Sequence, residues 1–308
     1  MLCSLSMGAS RGTCGVAGKT PQSTLAGVIE ENQDVDQPPG AAPVEQQLAG
    51  GDLLVRRHDT VVEVVFNRPA RHNAFTGGTY DGILEVCADL HDDPVARTVV
   101  FRGAGGRAFA AGNEISEFTL LEGGQAGVAY EARVGRVLRA IAELPQVTVA
   151  AVEGICVGGG LAVATHCDLR VATEGSRFGY PIARTLGNAL SAFIVYRCAS
   201  VFGESLTREM LLASRLVDAD RAHAVGAVMA VVPPGGLDKE VAALAEGVAA
   251  ASRMTITATK EQLLRRSDSL EVSPADDVER LEKVYGAPDF REGVRAFLAK
   301  EKPRFGDA

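Results

Sequence analysis

The stretch GICVGGGLAVATHCDLR, Gly154 to Arg170, sets three consecutive glycines between the apolar run VTVAAVE and a helical pattern. The N–H groups that open a helix have no partner inside it and carry the positive end of its dipole. With no Cβ in front of them, an oxygen bearing negative charge can approach directly. Gly158, Gly159 and Gly160 therefore suggest an anion site, or an oxyanion hole for charge developing on a carbonyl oxygen. The alternative is that they only permit close packing of helix on sheet. A second stretch, GRAFAAGNEISEF, follows the strand-like RTVVFRG and offers the backbone N–H groups of Gly112 and Asn113 on a turn of small residues. Two such turns at the ends of neighbouring parallel strands can converge on one oxygen without any side-chain donor. A competing reading of this region is dinucleotide binding, since GAGGRA, Gly103 to Ala108, fits G-x-G-x-x-A after a strand. That fingerprint requires a long helix to open at once, and here the chain runs on to Gly112 instead.

The elements that must hold these turns alternate in type. DLLVRRHDTVVEVVFNRP reads as two strands around His58-Asp59-Thr60, with Pro69 closing the second. YDGILEVCADLHDDP has helical apolar spacing, ARTVVFRG is a short strand, and AYEARVGRVLRAIAELP is an amphipathic helix with Val134, Val137, Leu138 and Ile141 on one face. VTVAAVEG is a buried strand, GGLAVATHC a helix and LRVATEG a strand. Alternating strands and helices imply a mainly parallel α/β sheet. After AVMAVVP only helices are expected, including LDKEVAALAEGVAAAS, MTITATKEQLLRRS, SPADDVERLEKVY and PDFREGVRAFLAKEK. Three regions result. Residues 1–50, rich in Gly, Pro, Gln, Ser and Ala, read as a disordered tail or an over-extended translation start. Residues 51–245 form the α/β core, and residues 246–308 an all-helical region. Helices of this kind can bury their apolar stripe, here including Leu263, Leu281, Val294 and Phe297, against the core or against another subunit.

Composition narrows the partners. The 308 residues carry a net charge of −8, which disfavours binding to nucleic acid or an anionic membrane surface. No apolar run approaches the ~18 residues of a transmembrane helix. Six cysteines form no CxxC pair, and Cys87, Cys156, Cys167 and Cys198 lie in apolar segments. They read as reduced core residues of a cytoplasmic protein, with Cys3 and Cys14 in the tail. No spacing of His, Cys, Asp and Glu fits a metal site.

FNRPARHNAF, GRAFAAGNEISEF, VEGICVGGGLAVATHCDLRVAT and FGYPIARTLG occur together in the order and spacing of the crotonase superfamily, the enoyl-CoA hydratase/isomerase family. ATKEQLLR and DFREGVRAFLAKEKPRF resemble that family's closing helices, so the resemblance runs from Leu53 to Phe305. It implies a crotonase-like spiral of ββα units with a C-terminal helical trimerisation region. It implies an acyl-CoA thioester as substrate or ligand, no separate cofactor, and self-association as a trimer or dimer of trimers. The implied reactions pass through a thioester enolate: isomerisation, decarboxylation, hydrolysis or C–C bond chemistry. Carried over by position, the oxyanion donors are the N–H groups of Asn113 and Gly159. Ala111 and Arg71 would meet CoA, Arg71 at its adenine and phosphate end, while Phe297 and Lys300 would reach it across a subunit boundary. For Arg71 and Lys300 a solvated surface charge is the alternative.

The sequence departs from that pattern at two places. A hydratase of the family has one glutamate two residues past the glycine triplet and another directly after the FGxP proline; here those positions are Ala162 and Ile182. Hydration of an enoyl thioester needs groups that deliver water and a proton, and neither side chain can. The expectation is a thioester site without the standard hydratase mechanism, or a non-catalytic acyl-CoA binding protein on the same scaffold. Candidates for the missing acid/base work are Glu114, Arg184 and Asn188, with Glu117, Thr185 and Ser191 nearby. Glu114 also fits a structural role, and Arg184, Thr185 and Asn188 could equally cap a local turn. His166-Cys167-Asp168, at the far end of the glycine helix, reads as structural because adjacent helical residues point apart.

Overall fold

The computed structural model describes residues 44–268 and 274–306. In chain order the elements are β1 (Val44–Leu48), β2 (Leu53–His58), β3 (Val61–Phe66), α1 (Gly77–His91), β4 (Thr98–Gly103), β5 (Ala108–Ala111) and α2 (Gly123–Glu143). They continue with β6 (Val147–Val152), β7 (Ile155–Val157), α3 (Gly159–His166), β8 (Leu169–Thr173), β9 (Arg177–Gly179), α4 (Ile182–Thr185) and α5 (Ala192–Leu212). The chain closes with β10 (Val217–Asp218), α6 (Ala219–Ala224), β11 (Ala230–Val232), α7 (Leu237–Ala250), α8 (Arg253–Asp268), α9 (Pro274–Gly286) and α10 (Pro288–Ala299).

Two sheets share these strands. The larger has the order β1-β2-β3-β4-β6-β8-β11 and the smaller β10-β9-β7-β5. β3, β4, β6, β8 and β11 run parallel, and so do β5, β7 and β9. Consecutive pairs β4–β5, β6–β7 and β8–β9 thus each give their first strand to the large sheet and their second to the small one, then a helix follows. This is the ββα spiral of the crotonase fold.

The large sheet is covered on both faces, which is why its central strands are almost continuously apolar. Along β4, Val99 and Phe101 face the cluster containing Ile83, Leu138 and Ile141 of α1 and α2, while Val100 points the other way. In β6, Ala150 and Val152 join the first cluster, and Val149 and Ala151 pack with Leu237 and Val241 of α7. The alternation is the two-residue period of a strand.

Two expectations need correction. The tail through residue 43 lies outside the described residues, as do Cys3 and Cys14, but Val44–Leu48 forms β1, antiparallel to β2. VEQQL carries no apolar alternation; β1 is held by its backbone pairing and an Arg56–Glu45 ion pair. The 245/246 boundary falls inside α7, whose apolar face, with Ile256 of α8, completes the sheet's second layer. Of the apolar stripe, Leu281 and Val294 are covered by their own chain, packing with Ile115, Phe118, Leu186, Tyr285 and Phe290. Leu263 and Phe297 remain about half exposed.

Among the described residues no helix is long and apolar enough to cross a membrane, and no three His, Cys, Asp or Glu residues are grouped to hold a metal ion. Cys87, Cys156, Cys167 and Cys198 are free and buried, and burial pushes their thiols above the usual range.

Candidate functional site

The two small-residue turns meet. β5 and β7 pair in parallel with Ala111 opposite Val157, so the residues just past each strand lie side by side. Gly112 (φ 91°) and Gly158 (φ 54°, ψ −125°) occupy backbone regions that side chains resist, and both turns depend on that freedom. A Cβ placed on Gly112 would lie 3.9 Å from the Gly158 Cα and 4.0 Å from the Gly159 nitrogen. Gly159 is the first residue of α3, where an amide has no intrahelical acceptor. Phe75 bonds to the carbonyl of Gly112 at 2.8 Å, and the Glu114 N–H bonds to the Phe75 carbonyl at 2.7 Å. In an extended strand this turns the intervening Asn113 N–H to the opposite side, away from Phe75. Neither the Asn113 nor the Gly159 amide has an acceptor among the described residues. The packing here is also tight. A Cβ on Gly159 would stand 2.6 Å from the Tyr80 hydroxyl and 2.7 Å from Asn113 Oδ1, and one on Gly160 would stand 2.5 Å from the Ala110 carbonyl.

The other sequence candidates separate in space. Glu114 is clamped by Arg71 at 2.9 Å, by Arg68 at 3.2 Å and by the Ser116 hydroxyl at 3.0 Å. The hydrogen bond from Arg71 is the main cause that lowers its carboxyl to about 2. A carboxylate so engaged is a poor proton carrier near neutrality, and the geometry favours the structural alternative for Glu114, an anchor for Arg68 and Arg71. Arg71 keeps much of its guanidinium exposed within that clamp. Arg184 is exposed, whereas the Thr185 hydroxyl caps its own turn on the Pro181 carbonyl. Asn188 turns inward, its amide 3.3 Å from the Tyr285 hydroxyl. The expected Arg184–Asn188 cluster is therefore not one cluster. Phe297 is half exposed, and Lys300 is the exposed, left-handed cap (φ 57°) of α10. Ala162 and Ile182 are both buried. His166 is buried with Nδ1 2.7 Å from the Ala162 carbonyl, and desolvation lowers it to about 3. Asp168 binds the amide and hydroxyl of Thr148 and pairs with Lys260 of α8. Gly103–Ala108 joins β4 directly to β5 with no helix opening there, against the dinucleotide reading.

The clamp on Glu114 carries a pH signature. Its folded pKa lies below the unfolded value near 4.5, so its contribution to stability is full above pH ~4.5 and is lost as pH falls toward 2. Glu114→Gln is expected to flatten the acid limb of stability in that window and leave the neutral-to-alkaline profile unchanged. Urea unfolding at a series of pH values reads this, and an unchanged acid limb would contradict it.

One buried carboxyl escaped the sequence reading. Glu131 of α2 is 3% exposed, although its neighbours on the same stripe, Gly127, Val134, Leu138 and Ile141, are apolar. Its carboxylate accepts from the Tyr285 hydroxyl at 2.8 Å and from the Ser191 N–H at 2.9 Å. Burial raises it to about 7 despite both bonds, and Asp277 pushes in the same direction. The Tyr130 hydroxyl is buried and makes no hydrogen bond among the described residues. Tyr80 donates to Asn113 Oδ1 at 2.6 Å. A charged residue inside an otherwise apolar helical stripe was the available signal.

Comparison with known proteins finds the family described as enoyl-CoA hydratase/isomerase matching residues 56–308. A putative enoyl-CoA hydratase of Thermus thermophilus is 34% identical over 252 residues, covering 79% of this chain and 97% of that protein. The short-chain-enoyl-CoA hydratase of Clostridium acetobutylicum is 26% identical, covering 82% and 96%. Among solved structures, an enoyl-CoA hydratase/carnithine racemase from Magnetospirillum magneticum aligns with TM-score 0.68 at 33% identity, over 83% of this chain and 95% of that one. A methylmalonyl-CoA decarboxylase in complex with 2-nitronate-propionyl-CoA aligns with TM-score 0.75 at 26% identity, over 83% and 98%.

Proposed function

Because the chain belongs to the enoyl-CoA hydratase/isomerase family, we propose that it binds an acyl-CoA thioester and stabilises its enolate between the N–H groups of Asn113 and Gly159. The observation that carries this reading is the convergence of two acceptor-free amides from adjacent parallel strands. When a proton or carboxylate leaves the carbon beside a thioester, negative charge moves to the carbonyl oxygen. Two fixed N–H dipoles, one at a helix start, meet that charge without reorganising. The ligand brings its own CoA, and no further cofactor belongs to the proposal.

The reading excludes the standard hydratase mechanism, because buried Ala162 and Ile182 can neither activate water nor deliver a proton. The fold likeness to a methylmalonyl-CoA decarboxylase supports enolate chemistry other than hydration on this scaffold. The trimeric assembly belongs to the same proposal and rests on Leu263 and Phe297, the members of the expected stripe that remain exposed. The buried free thiols favour a reducing, cytoplasmic setting.

A panel of acyl-CoA esters tests the function, with binding read by calorimetry and products by mass spectrometry. We expect binding, turnover of at least one ester, and little or no hydration of crotonyl-CoA. Robust hydration would overturn the argument from Ala162 and Ile182. Binding without turnover would identify a non-catalytic acyl-CoA binding protein, and no binding of any CoA ester would overturn both readings.

A further inference from the structure

Asn113 brings two opposite groups to the same place. Its backbone N–H is one of the two acceptor-free amides, and its side-chain oxygen is an acceptor lying against the residue that carries the other. That oxygen is occupied. The hydroxyl of Tyr80, in the first turn of α1, donates to Asn113 Oδ1 at 2.6 Å. Both atoms press on the Gly159 backbone: a Cβ built there would stand 2.6 Å from the hydroxyl and 2.7 Å from Oδ1. The Tyr80 ring is buried and packs edge-on against Phe75, with ring centroids 5.5 Å apart. The Phe75 backbone is bonded in turn to Gly112 and Glu114, on either side of Asn113. Hydroxyl and acceptor are therefore held to each other from both chain segments.

We propose that Tyr80 is a positioning residue that keeps the thioester site open: its hydroxyl holds Asn113 Oδ1, which without it turns onto the Gly159 N–H and fills the site from within. The proposal rests on the reading of Asn113 and Gly159 as donors to a thioester. Tyr80 does not meet the thioester. It acts through the Asn113 side chain, and both backbone amides stay where the strands put them.

The competition is unequal unless something restrains Oδ1. A carboxamide oxygen has two lone pairs to satisfy, and the Asn113 and Gly159 amides have no acceptor among the described residues. An acceptor attached to the site's own backbone binds as an intramolecular group, without the association entropy that a diffusing ligand loses. A hydrogen bond of its own removes that advantage. Burial pushes the Tyr80 phenol above its usual range, so it remains a donor at neutral and mildly alkaline pH. A role in packing alone differs in sign from this one. If the bond served packing only, deleting the Asn113 side chain from a protein that already lacks the Tyr80 hydroxyl would remove further contacts and restore nothing. If the hydroxyl restrains Oδ1, the second deletion relieves the first.

The test uses butyryl-CoA, with affinity read by calorimetry and the thioester carbonyl by isotope-edited infrared spectroscopy. In the unaltered protein the carbonyl band of the bound ester is expected below that of the free ester, because two N–H groups polarise it. Tyr80→Phe removes one oxygen and keeps the ring against Phe75. It is expected to weaken binding roughly 3–10-fold, the worth of one net hydrogen bond, and to return the band towards that of the free ester. Tyr80→Phe combined with Asn113→Ala keeps both backbone amides and has no Oδ1. It is expected to bind more tightly than Tyr80→Phe alone and to recover the lowered band, a rescue by truncation that a packing role does not produce. Unchanged affinity and band in Tyr80→Phe, or a loss that Asn113→Ala does not relieve, would overturn the positioning role alone. Butyryl-CoA that binds with an unshifted carbonyl band would overturn the placement of the thioester at these amides. Butyryl-CoA that fails to bind would overturn the thioester reading, and the proposal falls with either.

Discussion

Gly159→Pro is expected to lower kcat/KM on any acyl-CoA ester the protein turns over by roughly 10²–10³-fold, about 3–4 kcal/mol of transition-state stabilisation. The position makes this a discriminating change. Gly159 is the first residue of α3, where proline is well tolerated and its missing N–H leaves no intrahelical bond broken. The proline Cβ would crowd the Tyr80 hydroxyl and Asn113 Oδ1, both ends of side chains with some freedom to move. Gly159→Ala keeps the N–H and introduces the same crowding, so the difference between the two variants isolates the amide. Circular dichroism should report a retained fold in both, and steady-state kinetics should separate them. Equal activity of the alanine and proline variants would remove the Gly159 amide from the mechanism.

Gly127→Ala is expected to destabilise the protein by about 3 kcal/mol, far more than one added methyl group at an exposed helical site. A Cβ there would overlap Cγ and Cβ of Tyr285, the rigid root of a side chain that is 1% exposed. No rotamer relieves that contact, so α9 must move away from α2. Overpacking of this kind costs about 1–3 kcal/mol. Displacement of Tyr285 also takes a hydrogen bond from the buried Glu131 carboxyl, worth about 1.5–3 kcal/mol when the acceptor is charged. Urea denaturation measures the change, and a midpoint within experimental error of the unaltered protein would show that α9 is not fixed against α2 at this point.

What could be read from the sequence follows from where the partners of each residue lie. β3, β4, β6 and α2 were legible because their apolar periods are local and strong. β1 was not, because VEQQL owes its strand to the backbone of β2 rather than to its own side chains. The turns at Gly112–Asn113 and Gly158–Gly160 were legible because a missing Cβ is a constraint written in residue type. Arg184, Thr185 and Asn188 looked like one group along the chain. The short helix α4 holds Arg184 outward and Thr185 on its own turn, and the chain past its end takes Asn188 to Tyr285. Glu131 stayed hidden for a related reason. Its two partners come from positions 60 and 154 residues further along the chain, a juxtaposition only the folded molecule makes.

Each coil of the spiral gives one strand to the large sheet and the next to the small one, and the turns carrying the Asn113 and Gly159 amides stand just past the small-sheet strands of successive coils. The recurrence of the scaffold, rather than any particular side chain, aligns them. Substitution can therefore exchange the side chains around these turns while the backbone amides stay fixed. Side chains such as those of Ala162 and Ile182 can change without moving either backbone amide. Such a site has no donor side chain to lose. Inheritance can damage it chiefly by putting side chains where the glycines are, and can redirect it almost everywhere else.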